Sequence, residues 1–266
     1  AVLHALEALE KQGFEVTLLD IHDNGIVTAD DVKAAIRPDT CLVTVMYANN
    51  EIGTIQPIAE IGKICREHKI WFHTDAVQAM GHVKIDVNEL NVDMLSLSGH
   101  KFHAPKGIGG LYIRRGVRID RFVDGGGQES GRRGGTENVP YIMALAKAME
   151  LSQEKMADNA RLITLRDRLI AELTKIPYSR LNGHPTERLP GNVNITFQYI
   201  EGEGMLLLLD QAGICVSTGS ACSSASLEPS HVLVACGVPI EDAHGSLRIS
   251  LGHQNTEEDV EYIIQT

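Results

Sequence analysis

The 266 residues carry 24 basic and 35 acidic side chains, a formal net charge of −11, with no cluster of Lys and Arg interleaved with aromatics, which argues against a nucleic-acid ligand. No apolar run approaches the roughly 18 to 20 residues of a membrane span, and nothing at the start reads as a charged-then-apolar signal segment. The five cysteines, Cys41, Cys65, Cys215, Cys222 and Cys236, form no C-x-x-C pair and are odd in number; this argues against a disulfide framework or a thiolate zinc site and for a reducing, cytoplasmic setting. At this length one large α/β domain plus a smaller partner is expected.

In chain order, apolar periodicity predicts a helix over about residues 1 to 12, a strand at "FEVTLLD", a helix at "TADDVKAAI" and a strand at "CLVTVMY". A helix at "PIAEIGKICREH" and strands at "IWFHTD", "VDMLSLS" and "GGLYIRR" follow. This alternation implies right-handed crossovers and a mostly parallel sheet with helices on both faces. The chain opens on Ala1 inside a helical pattern and without a methionine, so N-terminal sequence is expected to be missing. "DGGGQESGRRGGT" is glycine-rich enough to form a flexible or a ligand-wrapping loop. A helical stretch over about 140 to 175 then bridges to a second α/β unit. That unit comprises a strand "GNVNITFQY", a helix "EGEGMLLLLDQAG", a strand "ICVSTG", a helix "PSHVLVACG", a strand "SLRISLG" and a helix capped by Thr256. The expected division is 1–145 for the large domain and 146–266 for the small one.

Ligands of open α/β sheets bind beyond the carboxyl ends of the strands. Three predicted strand ends are chemically loaded: "VTVMY" runs into "ANNEIG", "IWFHT" into "DAVQAMG", and "MLSLS" into "GHK". They supply Asn50, Asp75, Gln78, Ser98, His100 and Lys101. Each residue has an ordinary use. Asp75 suits the cap of a short helix, Asn49 and Asn50 are turn formers, and a lysine commonly starts a solvated loop. What those uses leave unexplained is an acid, an amide, a hydroxyl, an imidazole and an amine gathered at successive strand ends. Pyridoxal phosphate requires that set: an amine for a Schiff base, a carboxylate at the ring nitrogen, a donor to the phenolate oxygen, and hydroxyl and imidazole donors for the phosphate. Lys106, next along the same turn, reads as loop surface.

The motifs "HTDAVQ", "SLSGHKFHAPKGIGGLYI", "NNEIG", "GGGQESGRRGGTENV" and "STGSACSSASLEPS" are spread along the chain from residue 49 to residue 230. Together they resemble the fold-type I pyridoxal-phosphate cysteine desulfurases of the IscS and NifS kind. The resemblance implies that Lys101 holds the cofactor and later removes the substrate Cα proton, that Asp75 pairs with the pyridine nitrogen, and that Gln78 and Asn50 lie at the phenolate side. It implies that Ser98 and His100 bind the phosphate, His100 also standing beside the chemistry, and that Thr136 reaches the phosphate in a neighbouring subunit, hence a homodimer. Arg248, in "HGSLRISLG", and Asn50 would hold the substrate carboxylate, a task for which a guanidinium fork is suited.

Cys222, flanked by small polar residues that favour thiol access, would take the sulfur of L-cysteine as a persulfide. Alanine would be released and the sulfur passed to an iron–sulfur scaffold or another acceptor protein. No protein-held metal site is implied, although Cys222 could ligate a transferred iron–sulfur cluster. The other four cysteines read as small buried residues. Against the family pattern, His253 stands where arginine is common and Gln128 where histidine is common. Two rival readings accompany this one: another fold-type I enzyme such as a selenocysteine lyase, and a non-catalytic sulfur-carrier scaffold.

Overall fold

A computed structural model describes residues 2–219 and 229–266. Helix α1 (Val2–Glu10) is followed by α2 (Ala29–Ala35), which begins where Thr28 can cap it. The Thr28 hydroxyl accepts from Asp31 N at 3.1 Å, and the Asp31 carboxylate accepts in return from Thr28 N at 2.8 Å. Two backbone donors that a helix start leaves open are thereby satisfied. Strand β1 (Leu42–Met46), helix α3 (Ile58–Glu67) and strands β2 (Trp71–Asp75), β3 (Met94–Ser98) and β4 (Gly109–Ile113) complete the first sheet, in the order β1-β2-β3-β4. The first three strands are parallel and β4 returns antiparallel to β3.

Alternation in β2 decides which face is covered. Phe72 and Thr74 are fully buried, and Phe72 packs with Ile58, Ile61 and Cys65 of α3, Val32 of α2 and Leu95 of β3. The α3 residues recur at helical spacing, so one stripe of that helix meets the sheet. Each such fully buried aliphatic or aromatic side chain contributes roughly 1.5–3 kcal/mol. Trp71, His73 and Asp75 point to the opposite face, where they remain half-buried or exposed.

The short helix α4 (Gln128–Gly131) lies in the glycine-rich loop. Helix α5 (Val139–Lys155), whose N-cap Asn138 accepts from Tyr141 N, packs Ala148 on Phe102 and Ala104, the residues that flank the turn carrying Lys101. Helix α6 (Asn159–Leu173) places Leu162, Leu165, Leu169 and Leu173 against a second, antiparallel sheet of β5 (Ser179–Leu181), β6 (Asn192–Phe197) and β7 (Ser246–Ser250). Helices α7 (Gly202–Gln211), α8 (His231–Ala235), α9 (Ile240–Ala243) and α10 (Glu257–Gln265) complete this unit. Thr256 caps α10 in a second reciprocal box, with Asp259. Among the described residues no helix is long and apolar enough to cross a membrane.

Three expectations need correction. "FEVTLLD" is irregular, because a strand is defined by ladder partners and none of its backbone groups pairs with β1 or any other described strand. "ICVSTG" is reduced to one bridge between Ser217 and Arg248. Cys41 and Cys215 are exposed rather than buried, since one precedes the edge strand β1 and the other lies outside any ladder. Cys65 and Cys236 are buried as expected, and burial pushes their thiols up to about 12 and about 11. Strand β5 carries too short an apolar pattern to be read in advance.

Candidate active site

The register of the first sheet brings the loaded strand ends together. Met46 of β1 pairs with Asp75 of β2, and Asp75 with Ser96 of β3. The turns that bear Asn50, Asp75 and Gln78, and Ser98 to Lys101, therefore leave three adjacent strands at one end. The Asp75 carboxylate accepts from Val77 N at 3.0 Å through Oδ1. The capping use of this aspartate is thus present, but it engages one oxygen, and Oδ2 has no partner among the described residues. Gln78 is half-buried in the turn that follows.

After β3 the chain tightens into a single 3-10 turn, Gly99–Phe102, which closes with His103 in the left-handed conformation (φ 70°). Phe102 is buried beneath it and anchors the turn, so that Lys101 is held half-buried. The Lys101 ammonium makes no ion pair or hydrogen bond with the described residues, whereas Lys106 is exposed as expected. Ser98 Oγ and His100 Nδ1 lie 2.8 Å apart, a hydroxyl–imidazole pair at the mouth of the strand.

Asn49 and Asn50 divide the tasks of the "NNEIG" turn. Asn49 Oδ1 accepts from Glu51 N at 2.8 Å and Ile52 N at 3.1 Å, which is a turn former's role. The Asn50 carbonyl accepts from Arg248 Nη1 at 2.9 Å, so the guanidinium of β7 reaches out of its own sheet to the end of β1. Thr136 is exposed in the loop before α5 and meets none of these groups. Cys222 lies outside the described residues.

His253 is tied down locally: Nδ1 lies 3.3 Å from Asp158 Oδ2, and its carbonyl accepts from Arg161 Nη2 at 2.9 Å. These contacts tie α6 to the segment before α10.

Two side chains near the site were not singled out from the sequence. Glu51, only 3% exposed, accepts from Ser230 Oγ at 2.5 Å, while Ser230 Oγ also accepts from Leu233 N and caps α8. His73 lies on the same face of β2 as Asp75, with Nδ1 2.7 Å from Thr44 Oγ1 and Nε2 2.8 Å from Ser96 Oγ. Alternation in "WFHTD" signals the shared face; the partners on β1 and β3 depend on register.

These groups fit pyridoxal phosphate. A carboxylate with one oxygen uncommitted, a half-buried amine without a counter-charge, amides on the neighbouring turns and a hydroxyl–imidazole pair are the donors and acceptors that the cofactor's ring nitrogen, aldehyde, phenolate oxygen and phosphate require. A polar set this incompletely satisfied suits a ligand better than an internal structural role.

The class-V aminotransferase family profile matches residues 1–263. A cysteine desulfurase IscS of Methanosarcina thermophila is 62% identical over 266 residues, covering 100% of this chain and 66% of that protein. One from Clostridium botulinum is 56% identical over 269 residues, covering 100% of this chain and 68% of its own length. The chain thus spans about two thirds of these relatives. Among solved structures, a NifS-like protein superposes with a TM-score of 0.90 at 37% identity, covering 99% of this chain and 70% of that one. A structure described as SspA in complex with cysteine gives 0.78 at 38%, covering 94% and 70%.

Proposed function

Because the chain belongs to the class-V aminotransferase family, within its cysteine desulfurase branch, we propose that the protein carrying it is a pyridoxal-phosphate-dependent cysteine desulfurase that converts L-cysteine to L-alanine and passes the sulfur on as a persulfide. The observation that supports this most directly is the register Met46↔Asp75↔Ser96, which sends the residues required by the cofactor from three neighbouring strands to one end.

Bound pyridoxal phosphate supplies an electron sink that acidifies the substrate Cα–H and labilises the bond to the side-chain sulfur. In this reading Lys101 Nζ would hold the cofactor, and as a free amine it would accept the substrate Cα proton. An amine half-withdrawn from water and without a carboxylate partner suits that work. Asp75 keeps a proton on the ring nitrogen, because a carboxylate beside it favours the charged pyridinium. Asn50 and Gln78 hydrogen-bond at the phenolate oxygen. Ser98 and His100 hold the phosphate, and Thr136 serves the phosphate of a neighbouring subunit, which makes the working unit a homodimer. Arg248, already turned toward Asn50, grips the substrate α-carboxylate as a fork. Cys222 thiolate takes the sulfur.

The same reading divides the chain into a cofactor-binding unit, 1–145, and a smaller unit, 146–266, that carries the sulfur-accepting loop. It places the protein in the cytoplasm, with an iron–sulfur scaffold or another thiol-bearing protein as acceptor. The test is direct: add L-cysteine to the cofactor-loaded protein and measure alanine together with protein-bound persulfide. Equimolar alanine and persulfide in the first turnover support the reading; alanine without persulfide, or neither product, overturns it.

A further inference from the structure

A chain of side-chain contacts crosses β1, β2 and β3 on the face that carries Asp75. His73 lies directly opposite Thr44 on β1 and bonds it. On β3, however, its ladder partner is Met94, and it bonds instead to Ser96, the partner of Asp75. The imidazole is therefore drawn one same-face pair along the sheet toward the carboxyl end, the direction in which Asp75 lies on the same face of β2. A neutral imidazole has one donor and one acceptor nitrogen, and two hydroxyls satisfy both in either tautomer. Both ring nitrogens are thus engaged across the sheet, and the ring cannot swing out to pair with the acid.

We propose that His73 is a positioning residue for Asp75: pinned between Thr44 and Ser96 and held from pairing with the acid, it forms a fixed floor beside the carboxylate and leaves that group's charge for the cofactor ring nitrogen. The inference rests on the reading of Asp75 given above. Burial lowers the affinity of His73 for a proton, with Asp75 offsetting this in part, in keeping with an imidazole that stays neutral beside an acid. A cation at this position would partly neutralise Asp75; a hole would admit water and weaken its field. A neighbour held in place by hydrogen bonds of its own shapes the surroundings of a functional group and tunes it without touching the ligand.

The experiment uses the cofactor-loaded protein with His73→Ala, His73→Gln, Ser96→Ala and Asp75→Asn. Two quantities are measured: the dissociation constant of pyridoxal phosphate and the wavelength of its visible band in the bound state. His73→Ala should weaken cofactor binding by about tenfold, the lower end of what losing a neighbour of a ligand-holding group usually costs, and shift the band in the same direction as Asp75→Asn. His73→Gln, which keeps a neutral donor and acceptor, should restore both. Ser96→Ala, which removes one end of the bridge and little volume, should shift the band partway and serves if His73→Ala fails to fold.

A shift with Asp75→Asn but none with His73→Ala or Ser96→Ala overturns the role of His73 while leaving Asp75 in place. No shift with Asp75→Asn overturns the reading of Asp75, and the inference with it. Equal loss in His73→Ala and His73→Gln would reduce His73 to a packing residue.

Discussion

Lys101 stands half-buried in the turn after β3, without a counter-charge among the described residues, and its neighbour Phe102 is packed under α5. That anchoring separates it from Lys106, five residues on and in solvent. Lys101→Ala should remove covalent cofactor retention altogether: borohydride reduction followed by denaturation would leave no cofactor on the protein. Turnover should fall by at least about a hundredfold, the usual scale for losing a proton-transferring group. Retention of reduced cofactor by the variant would assign the amine elsewhere. Cys222→Ser should leave the spectral response to L-cysteine intact but abolish persulfide, since a serine hydroxyl is scarcely ionised near neutral pH and is a poor sulfur acceptor. The exposed Cys41 and Cys215 are the internal controls; persulfide persisting in Cys222→Ser and vanishing in a Cys215 variant would transfer the role. Lys101, Asp75 and Asn50 were legible in the sequence because strand ends announce themselves by a change from apolar runs to polar turn residues. His73 was not, since a histidine inside a strand becomes informative only when its neighbours on other strands are known.

At the scale of the element, the two reciprocal caps show how locally a boundary is set. Helix α2 begins at Thr28 because Thr28 and Asp31 satisfy each other's backbone donors. Donation from the Thr28 hydroxyl at 2.6 Å, followed by that from Thr28 N and the nearby His22 ring, holds the Asp31 carboxyl down at about 2. A carboxyl depressed in the folded state contributes stability that is present above its unfolded value, about 3.9, and is lost as pH falls through the folded value. The α2 cap should therefore weaken between about pH 4 and pH 2, and Thr28→Ala should flatten that part of the stability profile. At neutral pH the same variant should cost about 1 kcal/mol, read by urea denaturation. A profile unchanged in Thr28→Ala would show that the box adds nothing to the fold. The cap residues, like the spacing of Ile58, Ile61 and Cys65 along α3, lie within a few positions of one another, so elements of this kind can be read from the chain directly. The two misread strands, "FEVTLLD" and "ICVSTG", had apolar alternation but no ladder partner, and alternation by itself supplies no hydrogen bonds.

The whole molecule is joined where the "NNEIG" turn meets the second sheet. Arg188, 3% exposed, donates to the carbonyls of Ile52 at 3.0 Å, Asn192 at 3.1 Å and His184 at 3.2 Å. Burial brings its guanidinium down to about 10, so it stays charged at neutral pH. Asn192 and Asn194 of β6 each donate to the Glu51 carbonyl at 3.1 Å. Gly53, at φ +76°, is required beside them, because a Cβ there would lie 2.5 Å from Asn192 Oδ1. Arg188→Met should leave three carbonyls, two of them fully buried, short of a donor and cost about 3 kcal/mol in chemical denaturation, with the substrate carboxylate held less well because Arg248 reaches Asn50 through the same seam. A loss below about 0.5 kcal/mol would mean that the joint is carried by the asparagines alone.

By itself the amino-acid order determined most of the elements, the caps and the candidate groups for a cofactor, because these depend on residue type and on spacings of two to four along the chain. Only the tertiary structure decided that Met46, Asp75 and Ser96 stand in one row, that His73 bridges to both neighbouring strands, and that Arg188 and Arg248 of the second unit close on the turn after β1. Those contacts join residues up to about two hundred positions apart, and their geometry follows from sheet register and from the burial of polar groups that must find partners once water is excluded.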